Sequence, residues 1–170
     1  PNDALSFFET GVAYNNSIDI SGGSDKATYR MSYANKDQTG IIPNSSIKRN
    51  SFNFSGSYDI LDNLTVSTSA NYITTHTIGR NSTGYSGNIM SSFRQWYQVD
   101  TDMALQKQLY EETGRNVTWN PYWWDDPEPI FWDNPYWTVY ENYPEDERDR
   151  LIAYVKADWD VTDFLSIMGR

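Results

Sequence analysis

Ser51-Phe52-Asn53-Phe54-Ser55-Gly56-Ser57-Tyr58 sets Phe52, Phe54 and Tyr58 on one alternate series and Ser51, Asn53, Ser55 and Ser57 on the other. Successive strand side chains point to opposite faces, so this spacing predicts a strand with one aromatic face and one small polar face. The same reading extends outward. Ser17-Ile18-Asp19-Ile20-Ser21 and Ala27-Thr28-Tyr29-Arg30-Met31-Ser32-Tyr33 come before it, and Leu64-Thr65-Val66-Ser67-Thr68-Ser69-Ala70-Asn71-Tyr72 comes after. Four consecutive alternating segments predict an all-β fold built as an antiparallel meander.

The polar face narrows the reading. It is mostly Ser, Thr and Asn, with Arg30, Asn53, Ser55 and Asn71 among its members. Small uncharged polar side chains suit a wall facing confined water, and a face of Tyr, Phe, Ile and Met suits lipid. Alternating segments of about 10 residues joined by turns of unequal length match a transmembrane β-barrel. A β-sandwich, with the apolar face against a second sheet, fits the alternation equally well.

Composition removes other classes. The chain has 170 residues, 38% of them hydrophobic, with a mean hydropathy of −0.70. No stretch approaches the roughly 20 apolar residues of a membrane-spanning helix. With no cysteine and one histidine, His76, neither a disulfide framework nor a thiolate or histidine metal cluster is available. A net charge of −10 argues against nucleic acid as a partner. Pro1-Asn2-Asp3 has no charged start followed by an apolar core, so no signal peptide is expected. Leu165-Ser166-Ile167-Met168-Gly169-Arg170 reads as the opening of a further strand, and the chain reads as a piece of a larger protein.

Strands are expected at about 12–21, 27–36, 48–60, 64–75, 148–161 and 165–170. Gly22-Gly23-Ser24-Asp25-Lys26 reads as a tight hairpin connection whose glycines supply positive φ. Gly40 and Pro43 break any ladder in the longer loop 37–47. Tyr58-Asp59-Ile60-Leu61-Asp62-Asn63-Leu64-Thr65-Val66 aligns without gaps on Trp159-Asp160-Val161-Thr162-Asp163-Phe164-Leu165-Ser166-Ile167, so two hairpins share one turn design. In the second, Leu151, Ala153, Val155 and Ala157 take the apolar face; Tyr154, Lys156 and Asp158 take the other.

The stretch 76–147 is too long for an ordinary connection and reads as functional or partly disordered. Residues 79–86 look irregular. Asn88 to about Glu112 has helical spacing, with Ile89, Phe93, Trp96 and Tyr97 on one stripe and Leu105 and Leu109 beyond. Ser86 or Asn88 is the expected cap and Gly114 the expected stop; packing under the loop is the expected role of those aromatics. Residues 119–143 hold ten aromatics, and 116–147 hold eight acids with no lysine or arginine. Pro121, Pro127, Pro129 and Pro135 restrict the backbone. Clustered rings and carboxylates on a stiff loop make a recognition surface for sugars, peptides or a partner protein. The same rings would also serve as the loop's own packing. Asp125, Asp126 and Glu128 are oxygen ligands of the type Ca²⁺ takes, but their spacing fits no defined calcium loop. No carboxylate pair stands out for glycoside hydrolysis and no nucleophile–base signature occurs, so no catalytic residue, metal or cofactor is expected. His76 reads as a surface residue at a strand end.

Several ordered motifs resemble one family. Phe8-Glu9-Thr10-Gly11, Asn16-Ser17-Ile18-Asp19-Ile20-Ser21-Gly22-Gly23 and Tyr29-Arg30-Met31-Ser32-Tyr33 look like the barrel of SusC/RagA-type TonB-dependent transporters. Gly40-Ile41-Ile42-Pro43-Asn44, Lys48-Arg49-Asn50, Asp133-Asn134-Pro135-Tyr136-Trp137 and Asp149-Arg150-Leu151 resemble it too. The resemblance spans nearly the whole chain and is weakest over about 76–130. It implies part of a large, 22-stranded transmembrane β-barrel, with one long extracellular loop containing a short helix. It further implies a multi-pass protein of a Bacteroidota-type Gram-negative outer membrane that imports oligosaccharides or peptides. The implied partners are a SusD-like surface lipoprotein as lid, membrane lipid, and TonB through a plug domain absent from this sequence. Loops 37–47 and 76–147 would be extracellular. Arg30, Asn53, Ser55 and Asn71 would face the lumen, and Trp119, Trp123, Trp124, Trp132, Tyr136 and Trp137 would meet substrate or lid. A secreted carbohydrate-binding β-sandwich and a surface glycoside hydrolase are the rival readings.

Overall fold

The alternating segments form strands. A computed structural model of the chain describes residues 3–85 and 87–170. In it β1 (Ala13–Ser24), β2 (Ala27–Thr39), β3 (Ser46–Leu61), β4 (Leu64–Ile78), β7 (Glu145–Thr162) and β8 (Leu165–Gly169) join in sequence order into one six-stranded sheet. β5 (Pro121–Trp123) and β6 (Asp126–Pro129) form a separate antiparallel hairpin. The structure is thus mostly antiparallel β, as the alternation predicts, and the six-stranded sheet is open. Most strands outrun their expected ends. Ladder hydrogen bonds are made by the backbone, so pairing continues where side-chain alternation fades.

The first hairpin corrects the sequence reading. Gly22, Gly23 and Ser24 belong to β1, leaving Asp25-Lys26 as the turn, and neither glycine has positive φ. Gly22 is instead a matter of space: a Cβ there would lie 2.6 Å from the Tyr29 hydroxyl, so the missing side chain accommodates that ring. The repeated turn design shows in matching bonds. Thr65 Oγ1 donates to Asp59 Oδ1 at 2.7 Å, and Ser166 Oγ donates to Asp160 Oδ1 at 2.5 Å. The Asp160 N–H donates to Asn63 O, and Asn63 Nδ2 donates to Asp160 O, both at 2.9 Å. His76 lies two residues before the end of β4, as expected near a strand end, but is half-buried rather than on the surface.

The chain divides into two compact units. The sheet unit comprises residues 14–37, 48–76 and 147–170. On its apolar face Ile18, Tyr29, Phe52, Tyr58, Leu151 and Val155 are all exposed. Among its described residues no large apolar side chain is buried. Its other face is cross-linked. Thr28 and Ser57 hydroxyls meet at 2.7 Å, Asn53 Nδ2 donates to Ser32 Oγ at 3.2 Å, and Asn71 donates to Asn53. Arg30 pairs with Asp19 at 2.9 Å.

The loop unit comprises residues 3–13, 38–47 and 77–146. Its long segment holds α1 (Ile89–Gln95), α2 (Met103–Thr113) and α3 (Pro135–Glu141), three helices where one short helix is expected. The predicted helix over Asn88–Glu112 breaks at 96–102, because Asp102 starts a second helix by accepting from the N–H groups of Ala104 and Leu105. Asn88 caps α1 as expected, and Gly114, in the left-handed conformation at φ 62°, stops α2. Ser86, the other expected cap, lies outside the described residues. The break rotates the apolar stripe: Met103 and Gln106 are the buried positions of α2, and Leu105 is exposed. The core is Phe7, Ile89, Met103, Tyr136 and Val139, with Phe8, Phe93, Tyr97 and Tyr110 packed around it. Phe7 therefore does more than lead into β1. It is 1% exposed, with its ring 4.9 Å from Phe93 and 5.1 Å from Tyr136.

Candidate recognition surface in the loop unit

Asparagines hold this unit's aromatic segment in shape. Asn134, 0% exposed, caps α3 by accepting from the Tyr136 N–H at 2.9 Å, with Pro135 in the first turn, where a missing N–H costs nothing. Its Nδ2 donates to the carbonyls of Gln106 and Val117, both at 2.8 Å, so α2, α3 and the 116–118 segment share one side chain. Asn116 accepts from the Asn134 N–H and donates to Asp133 Oδ1 at 2.8 Å. Asn120 Oδ1 accepts from the N–H groups of Phe131 and Trp132, and its Nδ2 donates to Trp132 O, which closes 120–132 into a loop. Asn134 is expected from the Asp133-Asn134-Pro135 run to fix the loop's geometry, whereas Asn116 and Asn120 carry no periodic signal in the sequence.

The six aromatic candidates divide into two groups. Tyr136 is 4% exposed and packs the core. Trp119 sits edge-on to Tyr97 with centroids 4.4 Å apart, and Trp132 stacks on Trp96 at 5.0 Å and 17°. Trp137 is half-buried on α3. Trp123 and Trp124 stand out from the β5–β6 hairpin, and Trp124 is 86% exposed. Near them Asp126 turns its carboxylate back to accept from the Glu128 N–H at 3.2 Å. Among the described residues no three acidic or histidine side chains gather closely enough to hold a metal ion.

A cavity of about 640 Å³ opens in the same unit. Trp132, Phe131 and Tyr143 supply aromatic lining; Asn81, Asn88 and Asn142 supply amides; Arg80 and Asp133 supply charge. Arg80 forms an ion pair with Asp146 at 3.5 Å. The Tyr97 hydroxyl, also at the cavity, donates to Asp133 O at 3.3 Å. Burial, reinforced by the Asp133 charge, raises the Tyr97 phenol well above its ordinary range and keeps it a neutral donor. Tyr136 is pushed up to about 12 by burial and then by the charge of Glu9. Tyr110 is also pushed up to about 12, by desolvation and by the hydrogen bond it donates to Glu141 at 2.7 Å.

Charge separates the two units sharply. The loop unit carries 13 acids and 4 bases, a net of −9, and the sheet unit 10 acids and 9 bases, a net of −1. Nine of the chain's ten excess negative charges therefore belong to the unit with the cavity. Of the expected lumen-facing residues, Arg30 and Ser55 are exposed and Asn53 and Asn71 half-buried; Arg30 lies between the exposed Tyr29 and Met31, and Ser55 between the half-buried Phe54 and Gly56. Compared with models of protein families the sequence matches none, and compared with curated proteins it also matches none.

Proposed function

We propose that this chain is a stretch of the wall of an outer-membrane TonB-dependent importer of the SusC/RagA type. Such an importer takes up oligosaccharides or peptides with a SusD-like surface lipoprotein as lid. The observation that carries the reading is the pair of faces on the sheet unit. One carries exposed apolar side chains on each of its six strands, with Phe54, Leu64 and Val66 half-buried among them; the other links Ser, Thr and Asn side chains by hydrogen bonds and holds the Arg30–Asp19 and Lys156–Asp158 ion pairs. Soluble monomers rarely leave so large an apolar surface open. A sandwich would cover that face with a second sheet, and the sheet unit's described residues supply none.

Aromatic placement supports the same reading. Tyr29, Tyr58 and Trp159 lie near the short turns. Tyr14 and Tyr72 lie farther along their strands, and the Tyr33 hydroxyl donates to Asn50 Oδ1 at 2.8 Å. Rings with one apolar body and one polar tip favour both borders of a bilayer. In this reading residues 37–47 and 76–147 are extracellular, Arg30, Asn53, Ser55 and Asn71 face the lumen or plug, and the loop unit meets substrate or lid.

The test compares two neighbours of opposite face. Phe54→Arg near the bilayer midplane should cost about 2–4 kcal/mol in bilayer-folded protein, whereas Ser55→Arg should cost well under half of that. Denaturant titration in vesicles measures both. Equal costs, or a larger cost at Ser55, would contradict a lipid-facing Phe54.

A further inference from the structure

We infer that the long-loop end of the sheet unit's polar face is a binding strip for an acidic oligosaccharide, held through Lys36, Arg49, Arg148 and Arg150. This rests on the reading that the polar face lines the lumen, and it names the charge class of what passes there. The strip follows from strand register. Asn35 bonds to Asn50, Asn53 to Ser32 and Thr28 to Ser57, which sets Lys36 opposite Arg49. Asn50 bonds to Thr74, Asn71 to Asn53 and Thr65 to Asp59, which sets Arg49 opposite Thr75. β4 and β7 keep one register from end to end. The Asp160 N–H donates to Asn63 O, and the Gly79 N–H donates to Pro144 O, so Arg148 stands opposite Thr75 and Arg150 opposite Ile73. Side chains alternate along a strand, so all four bases share the face of Ser32, Asn53 and Asn71. Lys36 and Arg49 are direct cross-strand neighbours, with Cβ atoms about 5 Å apart. Arg148 lies two strands beyond Arg49, about 10 Å away, and Arg150 about 7 Å along β7 from it.

Pairing sets these four apart from the sheet unit's other bases. Lys26 pairs with Asp62 at 3.4 Å, Arg30 with Asp19 at 2.9 Å and Lys156 with Asp158 at 2.7 Å, and Arg170 lies over the Tyr154 ring at 4.3 Å. Lys48 takes the opposite face. Among the described residues the side chains of Lys36, Arg49, Arg148 and Arg150 make no ion pair or hydrogen bond. The three arginines are exposed and Lys36 is half-buried. The acids nearest in sequence do not answer them, because Asp37, Glu147 and Asp149 alternate onto the apolar face. Like charges placed directly opposite repel, so an anion laid between them removes a standing cost. Arginine holds carboxylate or sulfate through two parallel N–H bonds, and a row of such groups needs an anion that repeats along a chain. Ser17, Ser51 and Thr75 stand between the bases, and their hydroxyls, both donor and acceptor, match those of a sugar. The strip's apolar members are Ala34 and Ile73, too few to bury the side chains of a peptide.

The experiment is isothermal titration calorimetry on the full-length protein in detergent. The probes are hexagalacturonate, a chondroitin sulfate hexasaccharide, neutral maltohexaose and hexaglutamate. The first two separate carboxylate from sulfate. At least one of them should bind at least tenfold more tightly than maltohexaose and hexaglutamate, and more weakly as salt rises. Arg49→Gln and Arg148→Gln, both at exposed positions, should each weaken that binding by about five- to tenfold. Lys48→Gln removes the same charge from the opposite face and should stay within twofold. Tightest binding by hexaglutamate or maltohexaose would overturn the inference. So would no binding of either acidic saccharide, parental affinity in both arginine variants, or an equal loss in Lys48→Gln. Arginine placed at 54 or 55 reads which face meets lipid, whereas these titrations read the bases alone. A failed importer reading and a failed acidic-glycan strip therefore give different results.

Discussion

In the sheet unit Ile18, Tyr29, Tyr58 and Val155 stand uncovered, whereas in the loop unit Phe7, Ile89, Met103, Tyr136 and Val139 close into a core. Both units are rich in aromatics, so composition does not separate them. What separates them is what their rings touch. The sheet unit is joined by ladder bonds and cross-strand polar pairs, and its apolar face carries exposed side chains on every strand. The loop unit covers its own rings and ties them with asparagine side chains. Charge divides the same way, with −9 on the self-packed unit and −1 on the uncovered one. A low charge suits a surface that meets lipid, and a high one suits a surface that meets water and solutes.

The largest expected effect sharpens this contrast at Phe7. Phe7→Ala removes a fully buried ring from the loop core and should cost about 3–5 kcal/mol there. Limited proteolysis should then cut within 77–146 much faster, with the sheet strands still protected in detergent. Equal loss of protection in both units would mean that they do not fold as separate bodies.

A smaller effect should appear at alkaline pH, again in the loop unit. Tyr110 and Tyr136 are each raised from 10.0 to about 12. Each folded-state value exceeds the unfolded one, so the associated stability is complete below pH 10 and is lost as pH climbs towards 12. For Tyr136, which is buried, linkage puts this at about 1–2 kcal/mol. Tyr110 is partly exposed and should contribute less. Near-ultraviolet circular dichroism against pH, set beside tyrosinate absorbance, measures it. A loop signal that is flat from pH 9 to beyond the ionisation of these tyrosines would contradict the burial assigned to Tyr136.

The strands were legible because their signal is local. Phe52, Phe54 and Tyr58 announce a face within eight residues, and the Asp59/Asp160 turn repeat announces itself by self-alignment. The capping roles of Asn88 and Gly114 were legible for the same reason. What escaped was long-range. Phe7 reaches Phe93 and Tyr136 across most of the loop sequence, and residues 38–47 join the loop unit through bonds such as Asn44 Nδ2 to Val139 O at 2.8 Å. Neither leaves a periodic trace. The Phe7-Phe8 doublet, breaking the alternation just before β1, was the one local hint. Among the site candidates, the sequence marked the aromatic segment but could not sort Tyr136 in the core from Trp124 on the surface. The cavity was harder still. Its amides come from Asn81, Asn88 and Asn142, which no spacing links.

The central claim is that the open face of the sheet unit is a lipid face, and the absence of native cysteine makes it directly measurable. Phe54→Cys and Ser55→Cys, each carrying one nitroxide label, can be compared in bilayers for collision with oxygen, which concentrates in lipid, and with a water-soluble nickel chelate. The account predicts oxygen-dominated relaxation at 54 and nickel-dominated relaxation at 55. The reverse pattern would put the register of β3 off by one residue, and nickel access at both positions would contradict a membrane wall altogether.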